Sequence, residues 1–426
     1  MSPDPSPSPD RKDLLSSQEA SVVLGIKPAT LYTYVSRGLL KPVRLSQQKE
    51  NRYLREDVEG LRIRSSARQG HGAVAATAMR WGQPVMTTSV CEISEAGPSY
   101  RGHLATDLVR HPGVFESVAE LLWTGVLPDG AHTWPVEPPH VDLTRALDGM
   151  LQDGRVKPRM MRVFSIAATA LGGGSLAEEL RSNSTMRFAR QMLFAFAGCC
   201  GILGPQRRFA PVDGDRPLAQ HILRSLQVRV TDPAEQAIQA ALILGADHEL
   251  SSSTFAARIA ASTGATLHAC VVAALAAHQG TQLAGGCDAA EDLICGLGTV
   301  AEIDQRLADA EMRRERLPGF ALQIYPRGDP RASCLIELTK RIAPKSRPAD
   351  LAYRFVDRAR ERLGIEPNIE LALVVMAIAW QMPARTASAL WGIGRTAGWI
   401  AHVMEQRLAG FPIRPRGQYQ GLGARG

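Results

Sequence analysis

The sequence lacks the features that mark membrane-spanning and exported proteins. Its longest apolar stretches, residues 192–204 and 371–380, are shorter than the roughly 18–20 residues that a membrane span needs. They predict buried core helices instead. No charged start followed by an apolar run and a small-residue cleavage site is present at the N-terminus, so we expect no secretory signal and a cytoplasmic protein without a membrane partner.

The sequence also lacks a metal or redox motif built on cysteine. Its seven cysteines are an odd number and are scattered along the chain. In a cytoplasmic protein they are expected to be reduced thiols. The adjacent pair Cys199 and Cys200 lies in an apolar run without the two-residue spacing of a metal site, which favours plain core packing. We expect no bound metal.

Charge is distributed unevenly along the chain. The composition, with 45% hydrophobic and 21% charged residues, is that of an ordinary globular protein, and a length of 426 residues predicts two or three domains. Residues 11–70 carry twelve Lys and Arg against six Asp and Glu, a balance of +6 in a chain whose net charge is +7. This distribution predicts a basic N-terminal module attached to a nearly neutral body.

The basic module has the pattern of two short helices joined by a tight turn. Residues 1–12, rich in Ser, Pro and Asp, predict a disordered tail, and the folded module is assigned to 13–64. Ser17 is a suitable N-cap for the first helix, which Gly25 ends, and Pro28 opens the second helix at a first-turn position. The pattern predicts a helix-turn-helix.

The second helix and the basic segment after it supply the candidate DNA contacts. With this turn and wing, the module resembles winged helix-turn-helix proteins of the MerR and excisionase type. The resemblance implies that Arg52 and Tyr53 lie near the DNA backbone. One such module offers few base contacts, so we expect specific binding to need a dimer. The alternative is a helical hairpin with a solvated positive face, used for protein contact or dimerisation. The predicted groove-facing residues are Lys27, Thr30, Tyr32, Thr33 and Arg37.

After a small-residue-rich linker at 65–84, the pattern becomes mainly helical, with few convincing strands. Four segments of this all-α body resemble citrate synthases: residues 99–128, 244–263, 318–332, and 364–380 followed by 392–406 and 414–419. A helix-turn-helix also precedes such bodies in one bacterial branch of the family. The resemblance implies a homodimer and a two-domain helical body, with a large domain of 85–275 and 375–426 and a small domain of 276–374.

Citrate synthases join an acetyl thioester to oxaloacetate, and most of their dicarboxylate-binding residues have counterparts here. By resemblance His248 matches the oxaloacetate-contacting histidine, and Arg331 and Arg395 match two of the binding arginines. Arg414 matches the arginine that the family contributes across the dimer interface. The planar guanidinium group suits carboxylate recognition. The resemblance therefore implies a pocket for oxaloacetate or a related dicarboxylate, with acyl-CoA as a co-substrate or ligand and no other cofactor.

The residues that perform the chemistry in the family are changed. Ala284 and Leu322 stand where the family has its enol-stabilising and ketone-polarising histidines, and Glu370 replaces the aspartate base. Losing one preorganised donor of this kind costs roughly 10²–10³ in rate. The extra methylene of glutamate displaces the carboxylate by about 1 Å, which can cost on the order of a hundredfold. Rescue by His268 or His278 is the alternative to loss of activity.

Three functions remain open at this point. The first is a ligand-responsive DNA-binding regulator with a citrate-synthase-like body that senses a dicarboxylate or an acyl-CoA. The second is an active citrate or 2-methylcitrate synthase with Glu370 as its base. The third is an inactive partner of a complete citrate synthase in a mixed dimer, to which Arg414 is supplied across the interface.

Overall fold

The structure is a computed structural model, and its chain forms two compact units, Met1–Thr87 and Thr88–Gly426. It describes residues 14–24, 26–36, 40, 42–43, 51–55, 57–58, 86–130, 133–136, 141–148, 158–182, 184–212, 214–280 and 286–415. The predicted tail at 1–12 and the predicted linker at 65–84 lie outside these residues.

The N-terminal unit contains the two predicted helices. Helix α1 spans Ser17–Leu24 and helix α2 spans Pro28–Ser36. Strand β1, Leu14–Ser16, pairs antiparallel with strand β2, Arg52–Leu54, with Leu14 opposite Leu54. The pairing joins the start of the unit to the segment that carries the predicted wing residues Arg52 and Tyr53.

The cap of α1 lies one residue earlier than predicted. Ser16, not Ser17, caps the helix: its Oγ accepts a hydrogen bond from the Glu19 N–H at 3.2 Å, and its own N–H donates to Glu19 Oε2 at 2.8 Å. This reciprocal pair is a capping box. Ser17 is instead the first helical residue, whose carbonyl accepts a bond from the Ser21 hydroxyl at 2.7 Å.

The small core of the N-terminal unit corrects the prediction for Tyr53. That side chain has 0% exposure and belongs to a hydrophobic cluster with six other buried residues: Leu15, Ala20, Leu24, Leu31, Leu40 and Val58. A ring without accessible surface cannot reach a DNA backbone, so Tyr53 is a core residue. Its place opposite Leu15 in the β1–β2 ladder directs it there.

The large unit is mostly helical, as predicted, and also has a small sheet that the sequence reading missed. Strands β3 (Cys91–Ser94), β4 (Gly97–Tyr100) and β5 (His103–Leu104) form an antiparallel meander in the order β3-β4-β5. The first helices are α3 (Ala105–Leu108), α4 (Phe115–Thr124), α5 (Leu143–Asp148), α6 (Met160–Leu171), α7 (Leu176–Arg181), α8 (Thr185–Cys199) and α9 (Leu218–Ser225). The later helices are α10 (Asp232–Gly245), α11 (Ser252–Ser262), α12 (Leu267–His278), α13 (Gly286–Cys295), α14 (Val300–Arg313), α15 (Pro330–Ile342), α16 (Arg347–Leu363), α17 (Ile369–Ala379) and α18 (Thr386–Ala409).

The two longest apolar stretches form buried helices, as predicted. The stretch at 192–204 lies in α8 and the short 3-10 turn Cys200–Ile202, and the stretch at 371–380 lies in α17. Cys199 and Cys200 are both fully buried in the core, which confirms their packing role. Among the described residues, no helix is long and apolar enough to cross a membrane.

The long helix α18 organises the centre of the large unit. It packs against α10, α11 and α17, while α15 packs against α10 and α17. The loop between α10 and α11 therefore meets the middle of α18, and the start of α15 meets the start of α17. The α10–α11 loop, the middle of α18 and the starts of α15 and α17 converge in the interior of the large unit.

Candidate anion-binding site

Helix α15 begins with a buried ion pair. Asp329 is its N-cap, and its carboxylate accepts bonds from the Arg331 N–H at 3.1 Å, from Nε at 2.9 Å and from Nη2 at 2.8 Å. The same carboxylate accepts the Ile369 N–H at 3.1 Å, which ties α15 to the start of α17. Burial opposes charge on Arg331, but Asp329 outweighs it and raises the pKa of the guanidinium above its usual value. Arg331 is therefore a fixed, buried cation, with 1% exposure.

A second buried arginine faces the loop between α10 and α11. Arg395, in the middle of α18, donates from Nη1 to Asp247 at 3.2 Å. Its Nη2 donates to the hydroxyls of Ser251 and Thr254, at 3.0 and 2.8 Å. The planar group is thus held by three protein oxygens.

Asp247 remains ionised although it is completely buried. Burial alone favours the neutral acid, but the neighbouring His402 and Arg395 outweigh it, and the pKa of Asp247 is lowered to about 2. Helix α18 approaches this carboxylate closely because position 398 is glycine: a Cβ there would overlap Asp247 and the Ala246 carbonyl. The carboxylate also accepts the N–H of Glu249, whose φ of 53° turns the loop back on itself.

His248 is a neutral imidazole beside the two arginines. Burial, followed by the charges of Arg331 and Arg395, lowers the pKa of His248 well below its usual value. Its ring lies edge-on to Tyr325, with the ring centroids 5.7 Å apart. The Arg331 guanidinium lies 5.6 Å from the Tyr325 ring centroid and 5.9 Å from that of Trp391.

We call this group of side chains the anion cluster: His248, Tyr325, Arg331, Trp391 and Arg395. His278, at the end of α12, borders it, with its ring 5.9 Å from Trp391 and 5.3 Å from Trp399. Burial, and secondarily Arg395, lowers the pKa of His278 to about 3, so this ring is also neutral.

The anion cluster contains buried polar atoms that have no hydrogen-bond partner among the described residues. They are His248 Nε2, Tyr325 Oη, Arg331 Nη1 and Trp391 Nε1, and the neighbouring His278 Nε2 shares the property. Leaving such a group unsatisfied costs about 1–3 kcal/mol, and more for a charged one. Arg331 Nη1 and Trp391 Nε1 can only donate, and Tyr325 and His248 can also donate. Several donors around two guanidinium groups suit an oxygen-rich anion.

A cavity of about 480 Å³ opens beside the anion cluster at Tyr325. Its lining includes Arg110, Tyr325, Arg327, Cys334, Glu337 and Glu366. Arg327 pairs across the surface with Glu95, which also lines it.

The positions of the altered catalytic residues are only partly described. Leu322 is half-buried in a turn in which its carbonyl accepts the Tyr325 N–H at 2.8 Å, so its backbone lies close to the anion cluster. Its aliphatic side chain has no group that can polarise a ketone. Ala284 lies outside the described residues.

Glu370 lies at the start of α17, one residue after the N–H that Asp329 accepts. Asn368 caps this helix through bonds to the N–H groups of Glu370 and Leu371, at 3.0 and 3.2 Å. A Cβ on Gly286 would overlap the Glu370 carboxylate, so this carboxylate lies directly against the first residue of α13. The N-terminus of a helix favours a negative charge.

The predicted binding residues do not all meet. The structure brings His248, Arg331 and Arg395 together, whereas Arg414 is exposed and follows Ile413, whose N–H donates to Ser262 at 3.0 Å. No contact between described residues joins Arg414 to the anion cluster. Its predicted place in a partner's site remains a prediction for the dimer.

The predicted DNA-contacting residues differ in exposure. Lys27, Tyr32 and Thr33 are exposed, with Tyr32 at 57%, and Thr30 and Arg52 are half-buried. Arg37 lies outside the described residues. Lys27 belongs to the turn before α2, where its carbonyl accepts the Thr30 N–H at 2.9 Å.

Sequence reasoning missed part of the anion cluster. Tyr325 and Trp391 were not singled out, although Tyr325 lies inside the segment 318–332. The support of Arg395 by Asp247 and His402 was also missed. The helical spacing of Arg395, Trp399, His402 and Gln406 along α18 places them on one face and was the available signal.

The protein thus belongs to a class in which a helix-turn-helix unit precedes a mostly helical body that contains a buried anion cluster. Comparison with known proteins identifies the family. The family "Citrate synthase, C-terminal domain" matches residues 78–416, and the family "Helix-turn-helix domain" matches residues 14–61. The chain therefore belongs to the citrate synthase family and carries an N-terminal helix-turn-helix domain.

Relatives and solved structures agree with this assignment. Citrate synthase 2 of Bacillus subtilis is 26% identical over 349 residues, which cover 79% of this chain and 93% of the relative. The 2-methylcitrate synthase of Shewanella oneidensis is 29% identical over 354 residues, covering 79% and 92%. Citrate synthase of Thermoplasma acidophilum, solved in a ternary complex with carboxymethyl coenzyme A and oxaloacetate, has the same fold, with a TM-score of 0.64, 22% identity and coverage of 81% and 96%. The Pyrobaculum aerophilum citrate synthase gives a TM-score of 0.65 with 24% identity, covering 80% and 91%.

Proposed function

We propose that this protein is a DNA-binding regulator whose citrate-synthase-like body binds a dicarboxylate such as oxaloacetate and condenses it poorly with acyl-CoA. The observation that carries the proposal is the anion cluster. Arg331 Nη1 is a buried cationic donor that meets no acceptor in the part of the chain that the structure describes, and the rings of Trp391, Tyr325 and His248 lie around it. A carboxylate would satisfy several of these donors together.

Poor condensation follows from the residues available for chemistry. Leu322 cannot polarise a ketone, and Ala284 cannot stabilise an enol oxygen. His248 and His278 are neutral, and His278 lies between the rings of Trp391 and Trp399. Glu370 retains a carboxylate against the start of α13 and is our candidate for the group that removes a proton.

The regulatory role is supported by the N-terminal unit. It carries most of the net positive charge and exposes Lys27, Tyr32 and Thr33 on and before its second helix. Basic helix-turn-helix units bind DNA with the second helix in the major groove. We expect a homodimer, since specific binding by so small a unit needs two copies. The related family members also supply the reason to test acyl-CoA as a second ligand.

Ligand binding is tested by thermal unfolding of the purified full chain. Oxaloacetate at saturating concentration should raise the Tm of the wild type, because a ligand that binds only the folded state stabilises it. Arg331→Met should abolish this shift. Arg354→Met is the matched control, since Arg354 is an exposed arginine of α16 paired with Asp350, and the shift should persist. A wild-type Tm that oxaloacetate, citrate and acetyl-CoA all leave unchanged would contradict the proposal.

Residual chemistry is tested by thiol release from acetyl-CoA or propionyl-CoA in the presence of oxaloacetate. We expect no release above that of Glu370→Ala, because two donors worth roughly 10²–10³ each are missing. Turnover that Glu370→Ala abolishes would instead identify an active synthase with Glu370 as its base. Copurification with a complete citrate synthase would identify the mixed dimer.

A further inference from the structure

A second network of buried charges leads away from the anion cluster along α18. His402 lies seven residues, two turns, after Arg395, and its Nε2 is 3.2 Å from Asp247 Oδ2. Asp247 is therefore shared between Arg395 on one side and His402 on the other. The other ring nitrogen of His402, Nδ1, lies 3.4 Å from Arg258 Nη1.

The neighbours of His402 define its tautomer. Asp247 can only accept a hydrogen bond, and Arg258 can only donate one. Nε2 therefore carries a proton toward Asp247, and Nδ1 faces the Arg258 donor at 3.4 Å. The hydrogen bonds form a directional chain from Arg258 through His402 to Asp247.

Arg258 connects this chain to Glu405. Its Nη1 also donates to Glu405 Oε2 at 2.6 Å, and its Nε donates to Gln406 Oε1 at 3.1 Å. The side chains of Arg258 and His402 are almost completely buried, with 2% and 0% exposure. The same Nη1 is thus shared by His402 and Glu405.

Glu405 holds the first residues of the large unit. Its carboxylate accepts the Thr88 hydroxyl at 2.8 Å, the Ser89 N–H at 2.7 Å and the Ser89 hydroxyl at 2.9 Å. Burial favours the neutral acid, but these bonds and Arg258 outweigh it and lower the pKa of Glu405. Thr88 directly follows Thr87, at which the N-terminal unit ends. We call Thr88–Ser89 the junction segment.

We propose that His402 and Glu405 are positioning residues that transmit anion occupancy at Arg395 to the junction segment. The proposal rests on the proposed function and specifies how the same site is regulated. The distance from Arg395 to Glu405 along the helix is ten residues, about 15 Å. Every step between them is a charged or hydrogen-bonded group shared by two neighbours.

The direction of the effect follows from hydrogen-bond polarity. An anion that binds Arg395 weakens the ion pair between Arg395 and Asp247. Asp247 then interacts more strongly with His402, which makes Nδ1 of His402 a better acceptor. Arg258 then interacts more strongly with His402, and its positive charge compensates the Glu405 carboxylate less. A less neutralised Glu405 holds the N–H of Ser89 more firmly.

Hydrogen exchange of the full chain, with and without saturating oxaloacetate, tests this inference. The Ser89 amide should be protected at least fivefold more by the ligand than a reference amide, that of Ala349, which donates to Oγ of Ser346, the N-cap of α16, at 3.3 Å. General stabilisation would protect both amides alike. Exchange at Ser89 that merely follows Ala349, in a protein whose Tm oxaloacetate raises, would overturn the inference and leave the proposed function standing.

Variants separate transmission from structural support. Glu405→Gln should keep the oxaloacetate-induced rise in Tm but lose the excess protection of Ser89. His402→Leu should lose it as well, whereas His402→Gln, which keeps one donor and one acceptor, should recover part of it. Glu311→Gln is the matched control, because Glu311 is an exposed glutamate paired with Arg362, and it should behave as the wild type. Full excess protection in Glu405→Gln would overturn the proposal. If oxaloacetate, citrate and acetyl-CoA raise the Tm of none of these proteins, the proposed function fails together with the inference.

Discussion

Neutral histidines buried next to arginines make the large unit sensitive to acid. His278 has its folded-state pKa lowered from 6.5 to about 3, first by burial and then by Arg395. In the unfolded chain the same ring is protonated below about pH 6.5. Between these two pKa values the unfolded state binds a proton that the folded state does not bind, so the free energy of unfolding falls as the pH falls. His248 acts in the same direction.

Replacing His278 with phenylalanine should remove its share of this dependence. The wild type should lose stability relative to His278→Phe by about 1.4 kcal/mol per pH unit as the pH is lowered from 6 to 4.5. Urea unfolding at several pH values measures the difference. Above pH 7.5 both states of His278 are neutral, and the difference between the two proteins should be independent of pH. A difference that stays constant from pH 7.5 to 4.5 would show that His278 is not a buried neutral ring.

At the scale of the element, the close approach of α18 to the loop after α10 depends on glycine. The N–H of Gly398 donates to the Ala246 carbonyl at 3.0 Å. A Cβ at position 398 would overlap that carbonyl and Asp247. Gly392 lies on the same helix, but a Cβ there would first meet the flexible end of Met161. The two glycines are thus a matched pair in one helix, one facing backbone and a fixed carboxylate, the other facing a movable side chain.

Gly398→Ala should destabilise the protein by about 1–3 kcal/mol, because overpacking against atoms that cannot move outweighs the gain in helix propensity. It should also weaken the oxaloacetate-induced rise in Tm, since Asp247 positions Arg395. Gly392→Ala should change stability by less than about 1 kcal/mol, because Met161 can adopt another rotamer. Urea unfolding compares the three proteins. Equal losses at both positions would mean that Asp247 can move aside.

Most helices of this fold can be predicted from local signals in the sequence. Pro28 predicted the start of α2, and the apolar stretches predicted α8 and α17, because helix starts and buried helices depend on nearby residues. The choice between Ser16 and Ser17 as the cap could not be made this way. It is fixed by which serine reaches Glu19, and Ser16 stands three residues before it in the capping box.

The rest of the site depends on contacts between distant residues. The segment resemblance predicted His248, Arg331 and Arg395, and the structure brings these three together. The resemblance did not predict that Asp329 would pair with Arg331 or that Trp391 would lie beside that pair. It also did not predict that Tyr53 would be buried in the core of the N-terminal unit. A β-strand residue can face either side, and only the pairing of β2 with β1 decides it.

At the scale of the whole molecule, charge separates the two units. The N-terminal 11–70 region carries +6 of the net +7, so the large unit is nearly neutral and the basic part alone should attract a polyanion. Counterion release makes such binding fall steeply with salt. The dependence on salt therefore reports how many cations of the N-terminal unit meet phosphates.

Binding of the full chain to a mixed-sequence DNA duplex should weaken linearly in a plot of log affinity against log salt concentration, with each phosphate contact contributing about 0.9 to the slope. Lys27→Ala, which removes an exposed cation at the start of the second helix, should lower the magnitude of the slope by about 1. Lys345→Ala, an exposed lysine of the large unit, should leave both affinity and slope unchanged. Fluorescence anisotropy with a labelled duplex measures all three proteins. If Lys27→Ala and Lys345→Ala give the same slope as the wild type, the turn before α2 does not face DNA, and the helical hairpin used for protein contact becomes the better interpretation of the N-terminal unit.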